Sequence, residues 1–405
     1  VRASHGLRVL SVYEGFFSGG ARIVHSDVVL GLAEGGQSHQ VLSIHGEVLR
    51  EATRQRMEDD HCYRALTAGG VGVTSLGRSA GLVDGALAAN VFSGPELAET
   101  ARAMAGADVI LSLKEQPLAL LNQAGLPRRP VVVGLHRSDP ENQGPALDEL
   151  KAAIADGTVA ACVCCAESTR AAYEAAGIPA GLLHVIPNGV DLLRFRPDPA
   201  ARLALRTALG IPDRAPVIVF AARYAAMKNV PLLLRAARTW LAREGGGHVV
   251  MCGAGMTPGN SGLRADLADA FADAPALADR VHLLGVRHDM PAVYAAADVV
   301  ALTSVCGEAA PLCLIEGMMC GAVPVTTDVG DSAAIVTGLG FVTPPDPGAI
   351  ALSWSAAVAG RADLAPALEA ARERFSRTRM IAAYAALLDR LHAEAAPAPS
   401  LPEPL

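Results

Sequence analysis

Two charged pairs combine a suggestive spacing with a suggestive place in the chain. Arg223 and Lys228, five residues apart, follow the apolar run Val217 to Ala221, and Glu308 and Glu316, eight apart, follow the run Val299 to Leu302. Cations fixed at the end of a strand can neutralise the charge that grows on a phosphate leaving group. Carboxylates flanking a helix start can accept hydrogen bonds from hydroxyls, while the free amides and positive dipole end of that helix hold a phosphate. Pro311 suits the first helical position and Gly321 the one past the last, which places Glu308 in the preceding loop and Glu316 in the second turn. Each pair also has a plainer explanation: a solvated glutamate on an amphipathic helix, and two surface cations. Lysine is scarce, however. Of 34 lysines and arginines only Lys114, Lys151 and Lys228 are lysines, so each carries more information than an arginine.

Further candidates follow other apolar runs. Ser18-Gly19-Gly20-Ala21 is either a glycine loop whose backbone can approach an anion or an ordinary strand-to-helix turn. His136, in Leu135-His136-Arg137-Ser138-Asp139, stands at a strand end, where a histidine serves structure or a ligand. Lys114 and Glu115, a rare lysine beside a carboxylate, read as ligand contacts or as a surface ion pair. No Asp-x-Asp triplet occurs to hold a metal, and the expectation is of no metal.

The elements that position these residues follow from periodicity. A chain of 405 residues exceeds what one core fills, so two domains are expected. Short β-branched runs alternate with alanine-rich segments of helical period, the pattern of βα units around parallel sheets. One set of strands is Leu7 to Tyr13, Gln40 to Ile44, Val71 to Leu76, Asp108 to Leu113, Val131 to Leu135, Val159 to Cys164 and Leu182 to Ile186. After a Pro- and Gly-rich linker at 187–199, a second set runs Val217 to Ala221, Val249 to Cys252, Val281 to Leu284, Val299 to Leu302, Val323 to Thr326 and Gly340 to Val342. Between the first two strands Val24, Val28 and Leu32 mark a helix that stops at Gly35-Gly36. The fold class is therefore α/β: two Rossmann-like, doubly wound parallel-sheet domains facing an interdomain cleft. The division is 1–190, 191–370, a helix over 371–394 crossing back to the first domain, and an unstructured Pro- and Ala-rich tail at 395–405.

A net charge of −7 with mixed signs argues against nucleic acid as a partner. The arginines between Arg50 and Arg64 are interrupted by Glu51, Glu58, Asp59 and Asp60 and read as a solvated helix face. The eight cysteines lack the spacing of a zinc site or disulfide framework and read as small buried hydrophobes. With no leader-like stretch and no apolar run of about 18 residues, the expectation is a cytoplasmic protein without stable membrane association.

The order of these motifs, the glycine loop, Ile186-Pro-Asn-Gly-Val-Asp191, Arg223 with Lys228, Glu308 with Glu316, and Thr327-Asp-Val-Gly330, resembles the retaining glycosyltransferases of family four, of the GT-B fold. The resemblance spans nearly the whole chain and is most specific from Val217 to Val336. It implies that Arg223 and Lys228 bind the pyrophosphate of a nucleotide-sugar donor, Glu316 its ribose and Glu308 the transferred sugar, with Gly19, Gly20, Gly253 and the backbone of Pro311, Leu312, Cys313 and Leu314 around them. His136 matches a histidine near the reacting centre; with Glu308, Arg223 and Lys228 it makes the catalytic set. Lys114, Glu115, Arg137 and Asp139 fall on the acceptor side. Two departures stand out: Ile-Leu-Ser-Leu replaces a histidine-bearing strand, and Ala254 follows Gly253 where an acidic residue is frequent.

The implied activity is metal-independent transfer, with retention, of a hexosyl or N-acetylhexosaminyl group from a nucleotide-sugar, UDP favoured, to a small polar acceptor, in secondary metabolism. No cofactor is needed beyond that co-substrate. A nucleotide-sugar epimerase or hydrolase, or a non-catalytic sugar-nucleotide binding module, remains as an alternative. Oligomeric state, pathway and the identity of donor and acceptor are not legible.

Overall fold

The computed structural model describes residues 6–16, 19–50, 53–80 and 91–395. Ser18 and the tail at 396–405 lie outside them. Among the described residues two sheets form. The first contains β1 (Arg8–Gly15), β2 (Ser38–Arg50), β3 (Thr53–Arg56), β4 (Gly72–Ala80), β5 (Val109–Ser112), β6 (Val131–Leu135), β7 (Val159–Cys164) and β8 (Leu183–Val185). Its order is β3-β2-β1-β5-β6-β7-β8, with β4 on β2. The second contains β9 (Val217–Ala221), β10 (His248–Cys252), β11 (Val281–Leu283), β12 (Val299–Leu302), β13 (Val323–Thr326) and β14 (Phe341–Val342), in the order β11-β10-β9-β12-β13-β14.

These strands read as continuous apolar runs because helices cover both faces of each sheet. β5, β6, β12 and β13 are buried along their whole length. In both sheets the strand order reverses beside the first strand, between β1 and β5 and between β9 and β12. In open α/β sheets a crevice for ligands opens at that reversal, beyond the carboxyl ends of the strands. The glycine loop after β1, Lys114 and Glu115 after β5, Arg223 after β9 and Glu308 after β12 all flank these two crevices.

One expectation fails. The arginine-rich stretch between Arg50 and Arg64 is not one helix face. β2 continues five residues, 46–50, past its last pairing with β1, Gly15 with His45. Its unsatisfied edge is taken up by the antiparallel β3, so Arg54 and Arg56 lie on a strand; a short turn, Met57–Asp59, and the helix His61–Ala68 follow. An exposed row of backbone donors and acceptors favours such pairing, and the charges alone do not reveal it.

The connection between the sheets is anchored at Val190, which bridges to Ser376. Gly189 lies so close to the Ser376 backbone that a Cβ would not fit. The helix Arg377–Ala395 returns across the first sheet's flank and packs on the helix Gly20–Glu34, with Ile381 filling the space over Gly31. Among the described residues, no helix is long and apolar enough to cross a membrane.

Candidate functional site

The donor-side residues converge on the β9–β12 crevice. Beyond β9 the chain crosses the loop after β10. There Gly253, at φ +132, brings its backbone onto Ala222, and Tyr224 N donates to Ala254 O at 2.7 Å. Only glycine suits that conformation and approach. Lys228 ends the turn Ala226–Lys228 and Asn229 follows in the left-handed region, a place asparagine tolerates, to cap the helix Val230–Glu244. Thr303 Oγ1 donates to Lys228 O at 2.9 Å and so ties this turn to the end of β12.

Lys228 Nζ forms an ion pair with Glu308 Oε1, to which Ser304 Oγ also donates at 2.5 Å. The two side chains are 14% and 8% exposed. In such a setting removal of either leaves a buried charge without its partner. Arg223 is exposed at the rim, its guanidinium over the Met227 sulfur at 3.8 Å.

Glu308 leads into the helix Leu312–Met319. Pro311 is its cap rather than its first residue, one position earlier than expected, with ψ 115. The amides of Leu312, Cys313 and Leu314 are first-turn donors without an intrahelical partner. Leu314's side chain is buried in the core, so only its amide can serve a ligand. From the other domain Gly20 faces this helix end: a Cβ there would meet Leu312 Cδ1 at 3.4 Å. Gly19 beside it has open space. Gly20 thus lies against the Leu312 side chain at the start of that helix.

Glu316 is buried in the second turn. Burial pushes its carboxyl up to about 7, opposed by a hydrogen bond from the Tyr294 hydroxyl and by the field of Arg194. Arg194 belongs to the interdomain connection and was not singled out from sequence; a linker arginine carries no spacing signal.

On the first domain's side His136 follows β6 with Nε2 buried and without a hydrogen-bond partner. Burial, with the field of Lys114 added, lowers its pKa to about 3, so the ring is neutral. Arg137 grips Asp139 through two bonds of 2.7 Å and lies against Gly307 across the cleft. Glu115 is not half of a surface ion pair with Lys114. It is 1% exposed, neither carboxylate oxygen has a hydrogen-bond partner, and burial pushes its pKa up to about 7. The turn after β5 directs it inward, toward Cys162 and Arg137.

Contacts across the cleft fix the Glu308 loop. Ser138 Oγ donates to Glu308 O and Asn188 Nδ2 to Ala310 O at 3.0 Å. Asp331 accepts from Glu167 N and Ser168 N at 2.9 Å each, capping a helix of the opposite domain, while its own amide donates to Ala309 O at 2.8 Å. Asp331 immediately precedes the helix Ser332–Val336 and looks in sequence like that helix's own cap.

The cysteines are not uniformly buried: Cys306 is exposed and Cys313 partly so, because both sit at the cleft, one in the loop after β12 and one in the first helical turn. Asp60, His61 and Cys62 bring three possible metal ligands within 4.8 Å. Asp60, however, is paired with Arg22, and burial pushes the Cys62 thiol up to about 12.

Residues 18–194 match the family model described as Glycosyltransferase Family 4, and residues 215–359 the one described as Glycosyl transferases group 1. Among curated proteins the chain is similar to the D-inositol 3-phosphate glycosyltransferases of Nocardia farcinica (31% identity over 42% of this chain and 38% of that one) and Xylanimonas cellulosilytica (34% over 49% and 46%). It is also similar to a GDP-mannose-dependent alpha-(1-6)-phosphatidylinositol monomannoside mannosyltransferase of Mycobacterium tuberculosis (35% over 33% of each). The matched segments span a third to just under half the length of these curated relatives. In fold it resembles HepE of Anabaena, solved in complex with UDP-glucose (TM-score 0.76, 21% identity, 95% of this chain and 100% of that one), and sucrose-phosphate synthase of Thermosynechococcus elongatus (TM-score 0.72, 18% identity, 96% and 100%).

Proposed function

We propose, from the premise that this chain belongs to the glycosyltransferases of family 4, with the GT-B fold, that it transfers a sugar from a nucleotide-sugar to a small polar acceptor. The observation that carries the reading is the joining of Lys228 and Glu308 at the β9–β12 crevice, beside the free amides of the helix Leu312–Met319, whose Leu312 side chain meets Gly20 of the opposite domain. A pyrophosphate seated on those amides competes with Glu308 for Lys228. As Lys228 turns to the phosphate, Glu308 is released to accept hydrogen bonds from the sugar. Arg223 at the rim adds the second cation, so the leaving group's charge is met without a metal. Glu316 accepts from the ribose hydroxyls. His136, neutral, lies on the first domain's side with its Nε2 turned toward Gly134, so the ring must rotate before that nitrogen reaches the sugar.

In this reading the bond from the anomeric carbon to the diphosphate oxygen breaks, and the acceptor oxygen forms its bond on the same face, with retention. The acceptor's proton passes to the departing diphosphate oxygen, so no enzymic nucleophile is required. A hexosyl or N-acetylhexosaminyl group on UDP is the favoured donor, in keeping with the ligand of the Anabaena protein. Arg137, Asp139, Lys114 and Glu115 lie on the acceptor side. Glu115 is enclosed, so it acts there through the field it shares with Lys114 and Arg137 rather than by contact.

The test is a thermal-shift series with UDP, GDP, ADP, dTDP and their sugars, because a ligand of the folded state alone raises apparent stability. One nucleotide should shift the wild type and not Lys228→Ala. No shift with any nucleotide, or an equal shift in the variant, refutes the donor-site assignment.

A further inference from the structure

The connection between the domains reaches the surroundings of Glu316. Asp191 Oδ1 accepts from the amides of Leu193 and Arg194 at 2.9 and 3.2 Å, and Phe195 N donates to Asp191 O at 2.8 Å. An aspartate that accepts from the backbone just after it makes a tight turn. This one leaves Arg194 exposed and sends Phe195 into the donor domain's core. Arg372 fastens the turn there. One guanidinium nitrogen donates to Leu192 O and Phe195 O at 2.7 and 3.1 Å. Another donates at 2.7 Å to the carbonyl of Met319, the last residue of the helix that carries Glu316.

A stack of side chains leads from the turn to the carboxylate. The Arg194 guanidinium lies 5.2 Å from the centre of the Phe195 ring, and that ring lies 6.3 Å from the ring of Tyr294. Tyr294, buried on the short helix Met290–Ala295, gives its hydroxyl to Glu316. Arg194 donates to His288 O at 3.4 Å, and among the described residues no carboxylate lies within ion-pair distance of it. Its charge acts instead on Glu316, on Asp27 of the first domain's helix Gly20–Glu34, and on His61.

The other titratable groups around Glu316 give an anion no support. Asp27 opposes it, and Cys252, Cys313 and Cys320 are thiols that burial pushes up to about 12. A carboxylate only 8% exposed in such surroundings relies on a hydrogen-bond donor and a nearby cation to stay aligned and ionised.

We propose that Tyr294 and Arg194 are positioning residues for the ribose-binding carboxylate: Tyr294 fixes its direction, and Arg194, from the interdomain connection, keeps it anionic. The inference rests on the donor-site reading above. Both residues act through Glu316, and neither is required to touch the donor.

The experiment measures nucleotide-sugar affinity of the full chain by titration calorimetry across the range in which Glu316 ionises. UDP-glucose is the first probe; if it gives no thermal shift, the nucleotide-sugar that does takes its place. Removing a group that favours the anion raises the carboxyl's pKa, so full affinity is reached only at higher pH. Arg194→Gln should move the midpoint upward by about half a unit, the size expected for a partly exposed charge. Its Kd should be about threefold above the wild-type value near pH 6 and equal to it near pH 9. Arg194→Lys keeps the charge and should keep the midpoint. Tyr294→Phe should move it upward by about one unit, as loss of a hydrogen bond to a charged group requires. In a Glu316→Gln background neither substitution should change the profile. Thermal unfolding without ligand reports that each variant is folded.

A wild-type slope that Glu316→Gln abolishes, but that Arg194→Gln and Tyr294→Phe leave in place, overturns this inference alone. So does a deficit in Arg194→Gln that persists undiminished to the alkaline end, which would mark direct contact with the donor. A flat wild-type profile, a slope that survives Glu316→Gln, or no binding of any nucleotide-sugar ends the donor-site reading as well.

Discussion

Glu316 offers the sharpest check on the donor site, because its proposed role requires an anion and its surroundings disfavour one. Burial pushes the carboxyl up to about 7, with Tyr294 and Arg194 pulling the other way. If only the ionised form accepts from the ribose hydroxyls, the apparent Kd follows one proton, and between pH 8 and pH 6 it should rise about tenfold. Titration calorimetry with a nucleotide-sugar is the assay, since its pyrophosphate diester does not itself titrate in this window. Glu316→Gln should weaken binding by about 1.5–3 kcal/mol, the worth of a hydrogen bond to a charged group, and flatten the profile. Asp27, which lies in the field of Glu316 and is itself pushed up by burial to about 6, stays in both proteins and cancels in the comparison. A flat profile in the wild type, or an undiminished slope in the variant, refutes the argument.

Glu115→Gln tests the buried carboxylate after β5. Its folded pKa of about 7 lies above the unfolded value of 4.5, so its ionisation lowers stability as pH rises from about 4.5 to 7. Urea unfolding of the variant should lack roughly 2–3 kcal/mol of that loss between pH 5 and pH 8, and parallel curves would refute it. Asp331→Asn removes one of two acceptors on the Glu167 and Ser168 amides and Asp331→Ala removes both; kcat should fall in that order, with donor Kd moving less than twofold, about 0.4 kcal/mol. Equal kcat in all three proteins would show that the contact does not position Glu308. A chelator should leave transfer rates intact; loss restored by a divalent ion would contradict neutralisation by Lys228 and Arg223.

Legibility in the sequence follows from which physics set each element. β6, β7, β9, β12 and β13 match their apolar runs residue for residue, because a strand covered on both faces has no polar positions to blur its ends. The helix Leu312–Met319 was bounded to within a residue or two by Pro311 and Gly321, since proline and glycine act through local backbone geometry. The hairpin β2–β3 was not legible: its charged residues resemble any solvated surface, and only the early end of β1 turns them into a strand. Tertiary structure decided Glu115 and Asp331 in the same way. Adjacent Lys114 and Glu115 suggest an ion pair, yet the turn sends the glutamate into the core, and Asp331 caps a helix some 160 residues earlier in the chain rather than the one it precedes.

The contacts around Glu308 carry a further consequence. Its loop lies in the donor domain, yet two of its carbonyls are held from the first domain, Glu308 O by Ser138 and Ala310 O by Asn188, while Ala309 O accepts from the amide of Asp331, a residue of its own domain whose carboxylate caps the opposing helix. Ser138 lies two residues from His136 and next to Arg137. The histidine proposed to meet the sugar and the carboxylate proposed to bind it are therefore fixed to one another directly across the cleft. Separation of the domains breaks the Ser138, Asn188 and Asp331 carboxylate contacts at once and leaves the Lys228–Glu308 pair and the Asp331–Ala309 bond within the donor domain intact. An open form would keep its phosphate cation and its sugar carboxylate locked together. On the reading proposed above, the pyrophosphate draws Lys228 away from Glu308 in the closed arrangement, and Glu308 grips the sugar only once the diphosphate has been recognised.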